Sequence, residues 1–225
     1  MTTVFVPANA PYTSCITRRQ WLTGDVFTLG LARPPAFAFT AGQRVRFHLQ
    51  GQERDYSLIP GPHPDELELL IRAVAEGLVS SHLSRCPLET TLHFDGPGGH
   101  FIYRPSPRPA VFIATGTGIA PFAAMCRRGV RGFIMLHGVH AAGDLYYREI
   151  VESAAVQFVP CLTGPLAPPS PASVFAGRVT QYLRTELPPG AYDFYLAGRR
   201  EMIADAMAIV DERFPTSRVY TEIFF

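Results

Sequence analysis

A chain of 225 residues, 47% of them hydrophobic, can fill one large or two small cores, which excludes a disordered or fibrous protein. Its 20 basic and 19 acidic residues leave a net charge of +1, so no general electrostatic grip on nucleic acid or an anionic membrane is expected. The four cysteines, Cys15, Cys86, Cys126 and Cys161, are scattered without zinc, iron–sulfur or disulfide-framework spacing, and no run of about 18 apolar residues could span a bilayer.

At the N-terminus, Met1 to Pro11 lacks the charged start and apolar run of a signal peptide, so a cytoplasmic protein is expected. The first half then reads as antiparallel β structure. Arg44–Leu49 alternates polar and apolar side chains, the period of a strand with one buried face. Cys15–Trp21, Val26–Leu31, Asp55–Ile59, Leu67–Val74 and Thr91–Phe94 are the other strands, with one short helix near Ser80–Arg85. Six short strands separated by turns predict a small six-stranded antiparallel β-barrel. Prolines at 105, 107 and 109 forbid helix and favour a stiff extended connection, which places a linker between domains 1–104 and 110–225.

After the linker the period changes. Strands at Ala110–Ala114, Phe133–His137, Val156–Cys161, Phe194–Ala197 and Val219–Phe224 alternate with helices near Pro121–Arg128, Leu145–Ser153, Val179–Glu186 and Arg200–Arg213. This pattern predicts an α/β domain with a five-stranded parallel sheet. The proline-rich stretch Thr163–Ala176 reads as a surface loop.

Three motifs carry chemistry. Arg54-Asp55-Tyr56-Ser57 offers a cation, a flat aromatic face and a hydroxyl on one strand; Arg54 and Tyr56 share a face. Arg72-Ala73-Val74-Ala75-Glu76-Gly77-Leu78-Val79-Ser80 reads as a strand end, a glycine turn and a helix start capped by Ser80, where free amides bind a phosphate. Thr115-Gly116-Thr117-Gly118-Ile119-Ala120-Pro121 follows an apolar strand directly. Its glycines let the backbone approach a dinucleotide phosphate, and Pro121 suits a helix start. Each motif alone has a plain structural reading: a surface Arg and half-buried Tyr, an ordinary N-cap, a chance Gly-x-Gly.

Their order resembles the ferredoxin–NADP reductase superfamily, in which an Arg-x-Tyr-Ser strand and a Gly-x-x-Ser turn bind flavin on a barrel. A Gly-Thr-Gly-Ile-Ala-Pro turn opens the nicotinamide domain of that family. Gly96–Phe101, His137-Gly138 with Asp144–Tyr147, Tyr195–Gly198 with Met202, and Glu222–Phe225 match further segments in register, so the likeness covers residues 12–225. The resemblance implies FAD as cofactor, with FMN the lesser alternative, and NAD(P)H as substrate. It implies that Tyr56 stacks on the flavin ring, Ser57 reaches its N5 edge, and Arg54 pairs with the pyrophosphate. Arg72, Ala73 and Val74 would run beside the flavin, and Gly77, Leu78, Val79 and Ser80 would hold its phosphates. Thr115, Gly116, Thr117, Gly118 and Pro121 would face the nicotinamide nucleotide, with Cys161, Thr163, Ala197 and Gly198 beside it. Glu222 would orient the nicotinamide or relay a proton, and Phe224 and Phe225 would cover the flavin. Ser57 and Glu222 are thus the catalytic candidates; no metal site is implied.

Two positions depart from the family pattern. Ala197 replaces a cysteine, and Thr163-Gly164 stands where NADP-using members carry Ser/Thr-Arg, so NADH versus NADPH stays open, with Arg178, Arg199 and Arg200 as the other cations available to a 2′-phosphate. The implied activity is electron transfer between NAD(P)H and a separate one-electron carrier, a ferredoxin or flavodoxin. The alternatives are the reductase component of an oxygenase, or a flavin-binding subunit active only inside a larger complex.

Overall fold

A computed structural model describes residues 11–165 and 174–224. The chain divides into two compact units, Met1–Ile102 and Tyr103–Phe225.

The first unit is built of β1 (Tyr12–Trp21), β2 (Val26–Ala32), β3 (Arg44–Leu49), β4 (Gln52–Ser57), β5 (Ile59–Pro60), β6 (Glu66–Arg72) and β7 (Thr91–Gly98), with helix α1 (Leu78–Arg85) before the last strand. The antiparallel order is β4-β3-β7-β1-β2-β6-β5. β4 and β5 lie at opposite edges of that order although only Leu58 separates them, so the sheet must roll up into a barrel. β1 makes the corner, since Tyr12–Cys15 pair with β7 and Ile16–Trp21 pair with β2. The expected six strands are all present; the two-residue β5 is an addition, formed because Leu58 donates its amide to Gln43 and leaves the ladder. Ile16, Phe27, Leu29, Val45, Phe47, Leu69, Ile71 and Phe94 are buried together in its core.

The second unit holds β8 (Ala110–Thr115), α2 (Ala120–Arg127), β9 (Ile134–Val139), α3 (Arg148–Glu152), β10 (Gln157–Leu162), β11 (Phe175–Ala176), α4 (Val179–Thr185), β12 (Asp193–Arg199), α5 (Arg200–Arg213) and β13 (Arg218–Phe224). All pairings are parallel, in the order β11-β10-β9-β8-β12-β13. The five expected strands form the sheet, and β11 adds a two-residue edge. The helix expected at Leu145–Ser153 shrinks to Arg148–Glu152, because Tyr147 takes φ 53° and cannot continue a right-handed turn backwards. One face of the sheet packs Val111, Ile113, Leu136, Val159 and Leu196 on α4 and α5, an apolar contact set that includes Val179, Leu183, Ile203 and Ile209. Tyr103 and Arg104 belong to this unit. The Tyr103 ring lies 5.9 Å from Phe112, and the Arg104 amide donates to the Tyr195 hydroxyl at 3.0 Å. No helix among the described residues is long and apolar enough to cross a membrane.

Candidate functional site

In the barrel unit, β4 alternates as the sequence dictates. Asp55 points to one face, where Arg44 and Arg46 grip its carboxylate at 2.7 and 2.6 Å. Burial works against that charge, but the two guanidinium groups outweigh it and hold the Asp55 carboxyl below its usual range. Asp55 is thereby committed to the fold. Tyr56 points the other way, into the margin of the core, with its ring centroid 5.9 Å from Phe47. Burial pushes its phenol upward, against the pull of the Arg54 charge. Ala73 and Leu78 are half-buried at the same core margin, so three of the expected flavin residues rim one cluster.

The turn after β6 supplies the rest. Arg72 pairs with Asp25 at 3.3 Å, and Val74 is 54% exposed. The Gly77 amide closes the turn on the Val74 carbonyl at 2.9 Å. Gly77, not Ser80, is the N-cap of α1, and no side chain caps this helix start. The cap expected of Ser80 is therefore corrected. Ser80 is the third helical residue, buried, and its Oγ accepts the Val74 amide at 3.1 Å. The hydroxyl thus braces the turn from beneath and leaves the first amides of α1 without a capping acceptor. Uncapped amides with no acidic residue in the first turn suit an anion such as the flavin pyrophosphate. Ser57, 4% exposed, ends β4 in register with Arg44.

In the second unit, the C-terminal strand ends carry the candidate site. The Gly116–Ile119 turn is a single 3-10 coil running straight into α2, with Pro121 in the first turn of that helix. Gly116 takes φ 52°, a conformation that favours glycine. A Cβ on Gly118 would lie 2.8 Å from both the Ala197 carbonyl carbon and the Gly198 Cα, and nearer still to the Ala197 oxygen. Thr115 Oγ1 accepts the Arg199 amide at 3.1 Å. The sheet therefore brings Thr115, Gly116, Gly118, Ala197 and Gly198 together, and Thr117 rises half-buried between them. Ala197 is in register with Glu222, so the carboxylate of Glu222 stands one strand from the same backbone. Phe224, the last described residue, pairs with Arg199; Phe225 and residues 166–173 of the expected loop lie outside the described residues.

Two expected nucleotide contacts, Cys161 and Thr163, lie at and just past the end of β10. The Cys161 side chain is wholly buried among Val159, Val179 and Leu183, and burial pushes its thiol up to about 12, so only its backbone is available to a ligand. Thr163 and Gly164 fold back on β9, their amides donating to the Val139 and His140 carbonyls at 3.1 and 2.8 Å. His137, matched from sequence only as part of a family segment, had no role assigned to it. It lies in register with Ala114, which in turn pairs with Ala197, and it is completely buried. Its Nε2 donates to the Gly116 carbonyl at 3.0 Å. Burial drives its pKa down to about 4, against the Gly116 bond and the Asp144 charge, which favour protonation. A lone imidazole within the otherwise apolar run of β9 was the available signal.

Comparison with known proteins matches each of the two units to a domain family. Residues 16–103 match the family described as Oxidoreductase FAD-binding domain, and residues 112–208 match Oxidoreductase NAD-binding domain. The chain thus joins an FAD-binding domain to an NAD-binding domain, and it belongs to the ferredoxin–NADP reductase superfamily. The toluate 1,2-dioxygenase electron transfer component of Pseudomonas putida is 31% identical over 87% of this chain and 62% of its own length. Ferredoxin–NADP reductase B of Sorangium cellulosum is 36% identical over 53% of this chain and 54% of its own. Among solved structures, the cytochrome P450 reductase GcoB of Amycolatopsis superposes with a TM-score of 0.81 at 27% identity, covering 94% of this chain and 69% of that one. The chain spans only 34% to 62% of the first curated relatives that it matches.

Proposed function

We propose that the chain is an NAD(P)H-dependent flavoprotein reductase that moves electrons between a nicotinamide nucleotide and a separate one-electron carrier such as a ferredoxin or flavodoxin. The observation that carries this reading is the presence, in one chain, of two phosphate-receptive helix starts. One lies beside the half-buried Tyr56, and the other lies under the Ala197–Glu222 strand ends. A bound flavin supplies hydride acceptance and the release of electrons one at a time. The chain's own residues bind and orient. Tyr56 offers a flat face, Arg54 and the amides after Gly77 offer charge and donors to the pyrophosphate, and Arg72 to Val74 border the ring. Ser57 offers a hydroxyl towards the reacting edge. Thr115 to Gly118 receive the nicotinamide nucleotide, and Glu222 orients its carboxamide or relays a proton. A cytoplasmic setting is part of the reading, supported by four cysteines that are all unpaired.

The 31% identity to a dioxygenase electron transfer component favours a second reading, in which the carrier is the oxygenase-side protein of such a system. A third, a flavin subunit active only within a complex, differs in having no activity alone.

The test is direct. Purified protein should carry about one non-covalent FAD per chain, released by heat and identified by chromatography, and should reduce dichloroindophenol or cytochrome c with NADH or NADPH. A colourless protein that takes up neither FAD nor FMN overturns the reading. A flavinated protein inert to both acceptors favours the subunit instead.

A further inference from the structure

His137 is costly where it stands. It is completely buried, and its Nδ1 is buried without a hydrogen-bond partner. An apolar side chain of similar volume would fill β9 without leaving a polar atom orphaned, and an orphaned buried polar atom is destabilising. The single bond it makes goes to the Gly116 carbonyl at 3.0 Å. A carbonyl only accepts, so Nε2 carries the proton and Nδ1 carries the bare lone pair. In the Gly116–Ile119 coil the same carbonyl also faces the Ile119 amide three residues on, and His137 adds a side-chain bond from the sheet. Thr115 and Gly118 are fixed instead by Arg199 and by the Ala197–Gly198 backbone.

The bond has a geometric consequence. In a trans peptide the C=O and the following N–H point in opposite directions. Holding the Gly116 carbonyl down onto the sheet therefore turns the Thr117 amide outward. Thr117 is second in its 3-10 coil, where no intrahelical acceptor exists for its amide. Gly116, at φ 52°, lacks the Cβ that would otherwise limit how this peptide rotates.

We propose that His137 is a positioning residue which, through its Nε2–H bond to the Gly116 carbonyl, sets the Gly116–Thr117 peptide so that the Thr117 amide donates to a phosphate oxygen of the nicotinamide nucleotide. This rests on the reading that the second unit binds NAD(P)H.

Gln and Asn test it, because the Gln amide nitrogen reaches the place of Nε2 whereas the shorter Asn side chain reaches only that of Nδ1. Titration of NADH and NADPH and steady-state dye reduction are measured for wild type, His137→Gln, His137→Asn and His137→Leu, together with flavin content and thermal unfolding. The expectation for Asn and Leu is roughly ten-fold weaker nucleotide binding and a correspondingly raised KM, with kcat changed by less than about two-fold and flavin content unchanged. Gln restores binding to within about three-fold of wild type. Equal nucleotide affinity in all four proteins overturns the proposal, as does a Gln variant that binds as poorly as Leu while melting like wild type. If Leu does not fold, the Gln–Asn pair carries the same comparison, since both bury an amide. Wild-type protein that binds neither nucleotide overturns the functional reading itself, and this is seen before any variant is compared.

Discussion

The two candidate binding regions would meet the same demand, holding an anionic dinucleotide, with different materials. The barrel unit places side chains around one uncapped helix start. Arg54 and Tyr56 stand on a strand face, Arg72 ends another strand, and Ser80 braces the turn from beneath. The nucleotide unit uses backbone brought close to backbone. Gly118 is pressed on the Ala197–Gly198 peptide, Gly198 has room for no side chain beside Thr115, and a buried imidazole holds the Gly116 peptide. Side-chain sites tolerate small changes of shape, because a flexible tip can move. Backbone sites do not, because the neighbour that must yield is the sheet itself.

Matched glycine substitutions sharpen this contrast most. Gly118→Ala drives a methyl group into the Ala197 carbonyl, and overpacking of that kind costs about 3 kcal/mol. Nucleotide binding should fall by about a hundred-fold or more, while bound flavin is retained. Gly77→Ala meets the Ser80 hydroxyl at 2.8 Å and the Val74 Cβ at 3.0 Å, at a backbone (φ −80°, ψ 107°) open to any residue, so the hydroxyl must turn away from its bond to the Val74 amide. It should cost about 1 kcal/mol, less than Gly118→Ala, and loosen flavin without abolishing its binding. Urea unfolding with flavin and NAD(P)H titrations would measure both. Equal losses in the two variants would break the contrast.

Acid should act on the nucleotide unit through His137. The folded side chain takes up a proton only near pH 4, whereas the unfolded one does so near its ordinary value of 6.5. Between those values the unfolded chain holds more protons, so stability falls as pH falls from 6.5 to 4 and is unaffected by this group above 6.5. Over the whole window the loss reaches up to about 3 kcal/mol. His137→Gln should remove that part of the slope, leaving a shallower fall in the melting temperature of the nucleotide unit between pH 7 and 4.5. Parallel profiles for the two proteins would show that the imidazole is not buried neutral as described.

Side-chain chemistry is what a sequence displays, and the strand and turn that carry the proposed barrel site were largely legible for that reason. Arg54, Tyr56 and Ser57 were recognisable by residue type and spacing, and the alternation of Arg44–Leu49 appears unchanged in β3. Ser80 was misplaced because Ser before a helix usually caps it; here the glycine turn tightens by three residues and draws the hydroxyl underneath. The glycines of the nucleotide turn were equally visible, and the family resemblance set Ala197 and Gly198 beside the same nucleotide, but the bond from His137 was not visible. Ala197, Gly198 and His137 meet the turn only through sheet register, which joins residues up to 83 positions apart (Ala114 and Ala197). The edge strand β11 and the shortened α3 escaped notice for a related reason. Two-residue pairing and a left-handed Tyr147 depend on tertiary context rather than on local pattern.

Two serines test whether the barrel site separates support from chemistry. Ser80→Ala removes the acceptor of the Val74 amide, and losing such a bond costs about 1 kcal/mol, so flavin should dissociate more readily and the melting temperature fall by a few degrees. Ser57→Ala should leave flavin content and melting unchanged and slow flavin reduction by about ten-fold, as expected for one positioned hydroxyl felt mainly in the transition state. Stopped-flow bleaching would measure the second effect. A Ser57 variant reduced at the wild-type rate would remove that residue from the catalytic set.

The smallest expected effect is the choice between NADH and NADPH. Selection of the 2′-phosphate normally calls on an Arg in bidentate geometry. Gly164 stands where such an Arg would follow Thr163, and the site is closed to one. A Cβ there would lie 2.5 Å from the His140 carbonyl oxygen and 3.0 Å from its ring. The Gly164 amide already donates to that carbonyl, so the backbone cannot retreat without breaking its own bond. Arg178 and Arg199 are exposed and immediately precede α4 and α5, so each places a cation at a helix start, though on a flexible stem rather than a fixed fork. An exposed cation of this kind contributes about 1 kcal/mol or less. The expectation is a kcat/KM for NADH equal to that for NADPH or up to about ten-fold higher, with Arg178→Ala and Arg199→Ala each changing the NADPH value by less than about five-fold. Steady-state dye reduction with both nucleotides decides it. A preference for NADPH above about a hundred-fold, equivalent to roughly 2.7 kcal/mol, would require a phosphate clamp built from other residues. The nucleotide unit would then rely on charged side chains as the barrel unit does, and the contrast between the two sites would fail at that point.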